Sequence, residues 1–412
     1  MFTENRDEPR FDPARAVQDF LAFGEFGDVN PSICDSSTYT FMSVEKMEEL
    51  FEHEVEGCFL YSRHWNPTNR CLSEALARME DAECAQVTAS GMAAISSTLL
   101  ALCSSGDEIV SARTIYGGTY ALLKNLLPRL GITTTFVDLR DLGAVRAACT
   151  SRTRVLYCES ISNPLLEVAN LPALAEIAHR VGARLVVDNT FAPLILSPLR
   201  HGADIVVHSL TKFINGTSDC VAGAAIGSRE IVGHLNDINQ GPTMLLGPVL
   251  DSIRAAGILK NLHSLPARME RHSRNALYLA ERLQERGLTV HYPGLASHPQ
   301  HALLDRLKND GYGYGGILAL DMGNQATAAS LMRRMQDKKV GYLAVSLGYF
   351  KTLFSPPGHS TSSEIPADER HRMGMGDGLI RFSIGLDQDM EHTWQSIAAC
   401  LDEVLAGEAA LA

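Results

Sequence analysis

The sequence lacks paired cysteines: its nine cysteines among 412 residues form no C-x-x-C pair and no even framework. That argues against a disulfide scaffold, and in a chain of this length the thiols read as reduced and mostly buried. Basic charge is in deficit, with 36 Lys and Arg against 48 Asp and Glu and a net charge of -12. Such a balance argues against nucleic acid and anionic membranes as partners. No apolar run approaches the length of a membrane span, and Met1 to Arg10 is charged without the apolar core of a signal peptide. A cytoplasmic location is the expectation. Metal spacing of the H-E-x-x-H kind is missing despite fourteen histidines, as is the G-x-S-x-G nucleophile elbow. Short repeats and low-complexity tracts are absent too. One nucleotide-like string does occur, Gly311-Tyr312-Gly313-Tyr314-Gly315-Gly316. Its glycines precede an apolar strand-like run, Ile317 to Leu320, instead of following a strand and opening a helix, so a dinucleotide site is rejected.

What is present is an ordinary globular composition, 45% hydrophobic and 20% charged, in a chain long enough for two or three domains. Residues 1–65 show no sustained periodicity and read as an extended arm. Residues 66–260 alternate helices with short apolar runs. Expected strands are Cys84–Thr88, Glu108–Ala112, Thr133–Val137, Val155–Cys158, Arg184–Asp188, Asp204–His208 and Ala222–Ile226. Expected helices between them include Met92–Leu102, Tyr120–Leu130 and Leu171–Val181. This alternation predicts a mainly parallel sheet covered on both faces. Residues 261–412 begin with a long helical stretch, Pro266–Arg286, followed by short strands at Ile317–Asp321 and Leu379–Ile384. They read as a smaller C-terminal α/β domain.

Ligands of such sheets bind beyond the carboxyl ends of the strands. Four groups of suitable residues stand there. Ser90-Gly91-Met92-Ala93 opens a helix, where small residues and the helix N-terminus suit a phosphate. Asn163 follows another strand and offers an amide. Asp188 ends a third. Ser209, Thr211 and Lys212 follow a fourth, in His208-Ser209-Leu210-Thr211-Lys212. Together they suit pyridoxal 5'-phosphate, whose aldehyde needs an amine, whose ring nitrogen needs a carboxylate, and whose phosphate needs hydroxyls and N–H groups.

Seven segments in order make a resemblance specific. They are Tyr61-Ser62-Arg63-His64-Trp65-Asn66-Pro67-Thr68, Ser90 to Ala94, Tyr116-Gly117-Gly118-Thr119-Tyr120, Asp188-Asn189-Thr190-Phe191, His208 to Lys212, Ser346-Leu347-Gly348 and Leu379 to Gly385. From about residue 55 to 400 the chain resembles the pyridoxal-phosphate enzymes of cysteine and methionine metabolism, the transsulfuration family. The resemblance implies an aspartate-aminotransferase-like α/β fold (fold type I). It implies Lys212 as the lysine that bonds the cofactor and then moves protons, and Asp188 as partner of the ring nitrogen. Gly91, Met92, Ser209 and Thr211 would hold the phosphate, reached by Tyr61 and Arg63 from a neighbouring subunit of a homo-oligomer, a dimer of dimers. Tyr116 would stack on the ring and protonate a leaving sulfur, Asn163 would bond the ring hydroxyl, and Arg381 with Ser346 would clamp the carboxylate of a small amino-acid substrate.

The reaction implied is elimination or replacement at the γ-carbon. Val345 precedes Ser346 where enzymes that handle cystathionine commonly carry Glu, and an apolar residue suits an S-methyl group better. The stretches Ser346 to Leu353 and Gly358 to Glu364 resemble the plant-type methionine γ-lyases. Against this, bacterial methionine γ-lyases carry Cys where this chain has Gly118, and Trp65 is expected to reshape the entrance. The expectation is γ-elimination of methionine. The alternatives are a γ-synthase using an acylated homoserine and cystathionine γ-lyase.

Overall fold

The computed structural model describes residues 11–52, 55, 57–360 and 363–409. The first segment, Met1 to Arg10, and loop residues Thr361 and Ser362 therefore lie outside the described residues.

A seven-stranded sheet holds β1 (Cys84–Thr88), β2 (Glu108–Ala112), β3 (Thr133–Val137), β4 (Thr153–Glu159), β5 (Arg184–Asp188), β6 (Ile205–Ser209) and β7 (Gly223–Gly227). Their spatial order is β1-β7-β6-β5-β4-β2-β3. The pairs formed by β2 to β6 are parallel, and β7 runs antiparallel to both β1 and β6. The central strands are apolar without alternation because both faces are covered: Leu185, Val186 and Val187 are fully buried. The helix Leu171–Arg180 covers the sheet through Leu171, Leu174, Ala175, Ile177 and Ala178, at helical spacing.

The expected strands fall within two residues of the observed ones. One helix differs. Instead of a continuous helix Tyr120–Leu130, the chain forms an α-helix at Gly117–Ala121, a π-turn at Leu122–Leu126 and a 3-10 turn at Leu127–Leu130. Pro128 has no N–H to continue the α-ladder, and Gly131 at φ 79° ends the segment.

A second sheet, in the order β10-β11-β12-β9-β8, contains β8 (Thr289–His291), β9 (Ile317–Asp321), β10 (Tyr342–Leu343), β11 (Leu353–Ser355) and β12 (Leu379–Ser383). The chain passes from one core to the other along the helix Leu265–Glu285. Leu265 and Met269 pack in the first core, Leu279 and Leu283 in the second with Leu318, Phe354 and Phe382. The glycine string before β9 is a loop: Gly311, Gly313 and Gly315 all have positive φ.

The N-terminal segment packs on the first core through Ala14, Val17 and Phe20, and Cys34 N–H donates to Thr68 Oγ1 at 2.8 Å. Asp12 caps the helix Pro13–Gln18 and accepts from Tyr312 Oη at 2.5 Å. Beyond it, Leu21, Phe26, Val29 and Met42 are each more than four-fifths exposed. That is apolar surface a single chain leaves uncovered. Among the described residues, no helix is long and apolar enough to cross a membrane.

Candidate active site

The carboxyl ends of β1, β4, β5 and β6 face a cavity of about 450 Å3, closed from the other side by residues around β12. Glycine sets the phosphate end. A Cβ added at Gly91 would stand 2.7 Å from Ser209 Cβ, so only a residue without a side chain lets the helix Gly91–Leu102 start this close to the β6 loop. Ser90 Oγ accepts from Ala93 N at 3.0 Å, and the helix N-terminus favours an anion there. Ser209 N–H donates to Thr190 Oγ1 at 2.8 Å. Thr211 lines the cavity, but its hydroxyl accepts from Ala222 N at 3.0 Å and donates to Ala222 O at 3.2 Å. Met92 lies beside Gly91 in the same wall.

Asp188 accepts from Thr190 N–H at 2.9 Å at the tip of β5. Burial raises its pKa, opposed by the Thr190 bonds. Lys212 Nζ donates to Ser346 Oγ at 3.3 Å. Burial, then the positive Arg381, lowers its pKa from 10.5 to about 8. Arg381, on β12, is almost fully buried. Its Nη1 donates to Asn163 Oδ1 at 3.2 Å, and its Nη2 to Ser346 O at 3.2 Å and Ser355 Oγ at 3.5 Å. Its Nε has no protein partner. A buried guanidinium with a spare N–H is a prepared site for a carboxylate. Tyr116 is partly exposed at the cavity wall, and burial raises its phenol pKa, so the group stays protonated at neutral pH. Val345 stands 61% exposed among the lining residues.

The structure thus brings Gly91, Met92, Tyr116, Asn163, Asp188, Ser209, Thr211, Lys212, Val345 and Arg381 to one cavity, with Ser346 bonded to Lys212. Tyr61 and Arg63 do not join it within this chain. Arg63 Nη1 donates to Met244 O at 3.1 Å, and its guanidinium lies 5.7 Å from the Tyr61 ring centre. Trp65 does not line the cavity either. It is buried with the Arg70 guanidinium 4.9 Å over its ring, so it does not shape the entrance of its own chain's site. Sequence reasoning passed over Glu159, Thr190 and Glu364, which also line the cavity. Glu159 had a signal, since it ends β4 opposite Asp188 at the end of β5.

A family model for the Cys/Met metabolism PLP-dependent enzymes matches residues 17–400. The chain belongs to this family. The methionine gamma-lyase of Arabidopsis thaliana is 46% identical over 390 residues, spanning 93% of this chain and 88% of that one. The O-succinylhomoserine sulfhydrylase of Pseudomonas aeruginosa is 38% identical over 380 residues, 90% of each. A Campylobacter jejuni crystal structure that carries N'-pyridoxyl-lysine-5'-monophosphate superposes with TM-score 0.87 at 27% identity, over 95% of this chain and all of that one. The fold is that of the type I pyridoxal-phosphate enzymes, and the family is an enzyme family dependent on that cofactor. The residues fit the group: a glycine cradle at the phosphate end, a buried carboxylate for the ring nitrogen and an amine of lowered pKa for the aldehyde.

Proposed function

We propose that this chain eliminates the γ-substituent of L-methionine, taking up water and releasing methanethiol, 2-oxobutanoate and ammonia. Bound pyridoxal phosphate supplies the electron sink for carbanion chemistry. The chain's own residues supply binding and proton movement. Arg381 Nε binds the substrate carboxylate and fixes the α-carbon in front of Lys212. Lys212 Nζ, neutral in useful amount near pH 8, takes the α-proton and carries it onward. Tyr116 Oη, still protonated at neutral pH, gives a proton to the departing sulfur. Asp188 holds the ring-nitrogen proton. The observation that carries the reading is Val345, an exposed apolar side chain beside the Lys212–Ser346 contact, which suits an S-methyl group. The relationship to the Arabidopsis protein supports it.

A second reading has one specific observation in its favour. Glu364 lines the cavity as an exposed carboxylate and could pair with the distal ammonium of cystathionine. A third, γ-replacement on an acylated homoserine, is supported by the sulfhydrylase relative. A panel of methionine, cystathionine and O-acyl-homoserine with a thiol separates them by release of thiol, 2-oxo acid and ammonia. Methionine yielding thiol and 2-oxo acid supports the proposal. Consumption of an acyl-homoserine and thiol with no methionine turnover overturns it.

We further propose that the chain works as a homo-oligomer, a dimer of dimers, with Tyr61 and Arg63 completing a neighbour's phosphate site. The exposed apolar arm and the absence of both residues from their own chain's cavity support this.

A further inference from the structure

Glu159 ends β4 with its side chain at the cavity and only 7% of its surface exposed. A carboxylate so deep in the protein is costly unless hydrogen bonds satisfy it. Each of its oxygens is met by a main-chain donor. Tyr116 N–H donates to Oε1 at 2.7 Å, and Asn163 N–H donates to Oε2 at 2.7 Å. Both are short N–H···O bonds, and they oppose the burial and the neighbouring Asp188 charge that together push the Glu159 pKa up to about 8. The two donors belong to different loops, one after β2 and one after β4. One loop carries the phenol. The other carries Asn163, whose Oδ1 accepts from Arg381 Nη1 at 3.2 Å.

We infer that Glu159 is a positioning residue that fixes the Tyr116 phenol and, through Asn163, the Arg381 guanidinium at a set distance from each other. That distance is the one between the proton donor for the leaving group and the clamp for the substrate carboxylate. The role rests on the proposed assignments of Tyr116 and Arg381, but not on which sulfur amino acid is the substrate. Glu167 of the loop after β4 also reaches the loop after β2, accepting from Thr114 Oγ1 at 2.7 Å, but among the hydrogen bonds of the described residues only the Glu159 side chain holds the main-chain N–H groups of Tyr116 and Asn163 themselves. A glutamine has the right length but one wrong end: its NH2 would face a main-chain N–H, so only one loop stays held. An aspartate keeps the carboxyl group but is one methylene too short to hold both donors in their present places.

The test uses the holoenzyme and the variants Glu159→Gln and Glu159→Asp. Hydrogen exchange should speed up by about tenfold or more in the segments containing Tyr116 and Asn163. The Leu174 N–H, bonded to Asn170 O at 3.0 Å in the helix Leu171–Arg180, is the internal control. For whichever sulfur amino acid the wild type turns over, kcat should fall and KM rise, with kcat/KM down by about 10²-fold from ångström-scale misplacement. A lower melting temperature or weaker cofactor binding with exchange at both segments and kcat/KM unchanged would mark a merely structural role. Unchanged exchange at both segments, or kcat/KM within about twofold of wild type in both variants, overturns the inference. The exchange measurement does not depend on the reaction, so a wrong substrate assignment and a wrong role for Glu159 give different results. If the glutamine variant does not fold, the aspartate variant decides by the same two criteria.

Discussion

The Tyr116 ring lies against Gly118: a Cβ built at Gly118 would come within 2.6 Å of Tyr116 Cε1 and 3.2 Å of Cζ. In this chain the phenol therefore occupies space that a side chain at 118 would claim. This gives the Gly118 departure from the bacterial Cys a physical meaning. Gly118→Ala and Gly118→Cys should push the ring outward and lower kcat by roughly tenfold, with cofactor binding kept. Steady-state kinetics with a cofactor-absorbance control checks this. An unchanged kcat would show that the ring swings aside at no cost.

Lys212 titrates in the range where its neutral form matters. Its amine is held at about 8 instead of 10.5, so at pH 7 about a tenth of it is neutral, against roughly one part in 3,000 for a free lysine. Cofactor uptake by the stripped protein needs the neutral amine. Its rate should rise about tenfold per pH unit up to pH 8 and then level off. A rate still rising steeply at pH 9.5 would contradict the burial argument. The sign for stability follows. Below pH 8 this lysine is charged both folded and unfolded, and its burial penalty is constant. Between pH 8 and 10.5 the folded chain sheds the proton while the unfolded chain keeps it, so the contribution of this group rises with pH. Lys212→Ala should abolish the covalent hold on the cofactor, read by the loss of borohydride reduction onto the chain.

Arg381→Leu should raise KM steeply and lower kcat/KM by roughly 10²-fold. It should also move the uptake midpoint of Lys212 upward, because the guanidinium is the second cause of the lowered amine pKa. Burial is the first cause, so the midpoint should remain below that of a free lysine. Kinetics and the pH dependence of uptake measure the two effects separately.

Mixed oligomers test the arm. A chain carrying Arg63→Ala and a chain carrying Lys212→Ala should each be weak or inactive alone. If Arg63 serves a neighbour, a mixed dimer contains one site with both Arg63 and Lys212, and activity should return to about half of wild type or less. No recovery on mixing would place Arg63 in the service of its own subunit.

Val345→Glu should shift preference from methionine toward cystathionine, by about 10-fold or more in the ratio of kcat/KM values. Glu364→Gln should leave methionine turnover unchanged within about twofold if no distal ammonium is bound there. A fall on methionine would show that Glu364 acts on Tyr116, whose pKa its charge helps to raise.

Much of the site was legible because its parts follow strands. Asp188 ends β5, and Lys212 follows β6 by three residues. Arg381 was legible for a different reason: an arginine inside an apolar strand needs an anion. The break at Leu122–Leu130 was less visible, since its apolar spacing still suits a helix and only Pro128 hints otherwise. Glu159 stands at a strand end opposite Asp188, but its linking role was passed over because its partners are main-chain N–H groups, and main-chain donors leave no mark in residue types.

The amino-acid sequence by itself determined the alternating fold and the candidate lysine and aspartate at its strand ends, since burial pattern and reactive side chains are properties of residue order. Only the tertiary structure decided how these groups meet. It committed the Thr211 hydroxyl to Ala222, joined Arg381 Nη1 to Asn163 while leaving Nε without a protein partner, and removed Trp65 from the cavity. It also joined the Tyr116 and Asn163 loops through Glu159. Such contacts link residues tens to hundreds of positions apart, and their distances are fixed by how the two cores pack rather than by any local spacing.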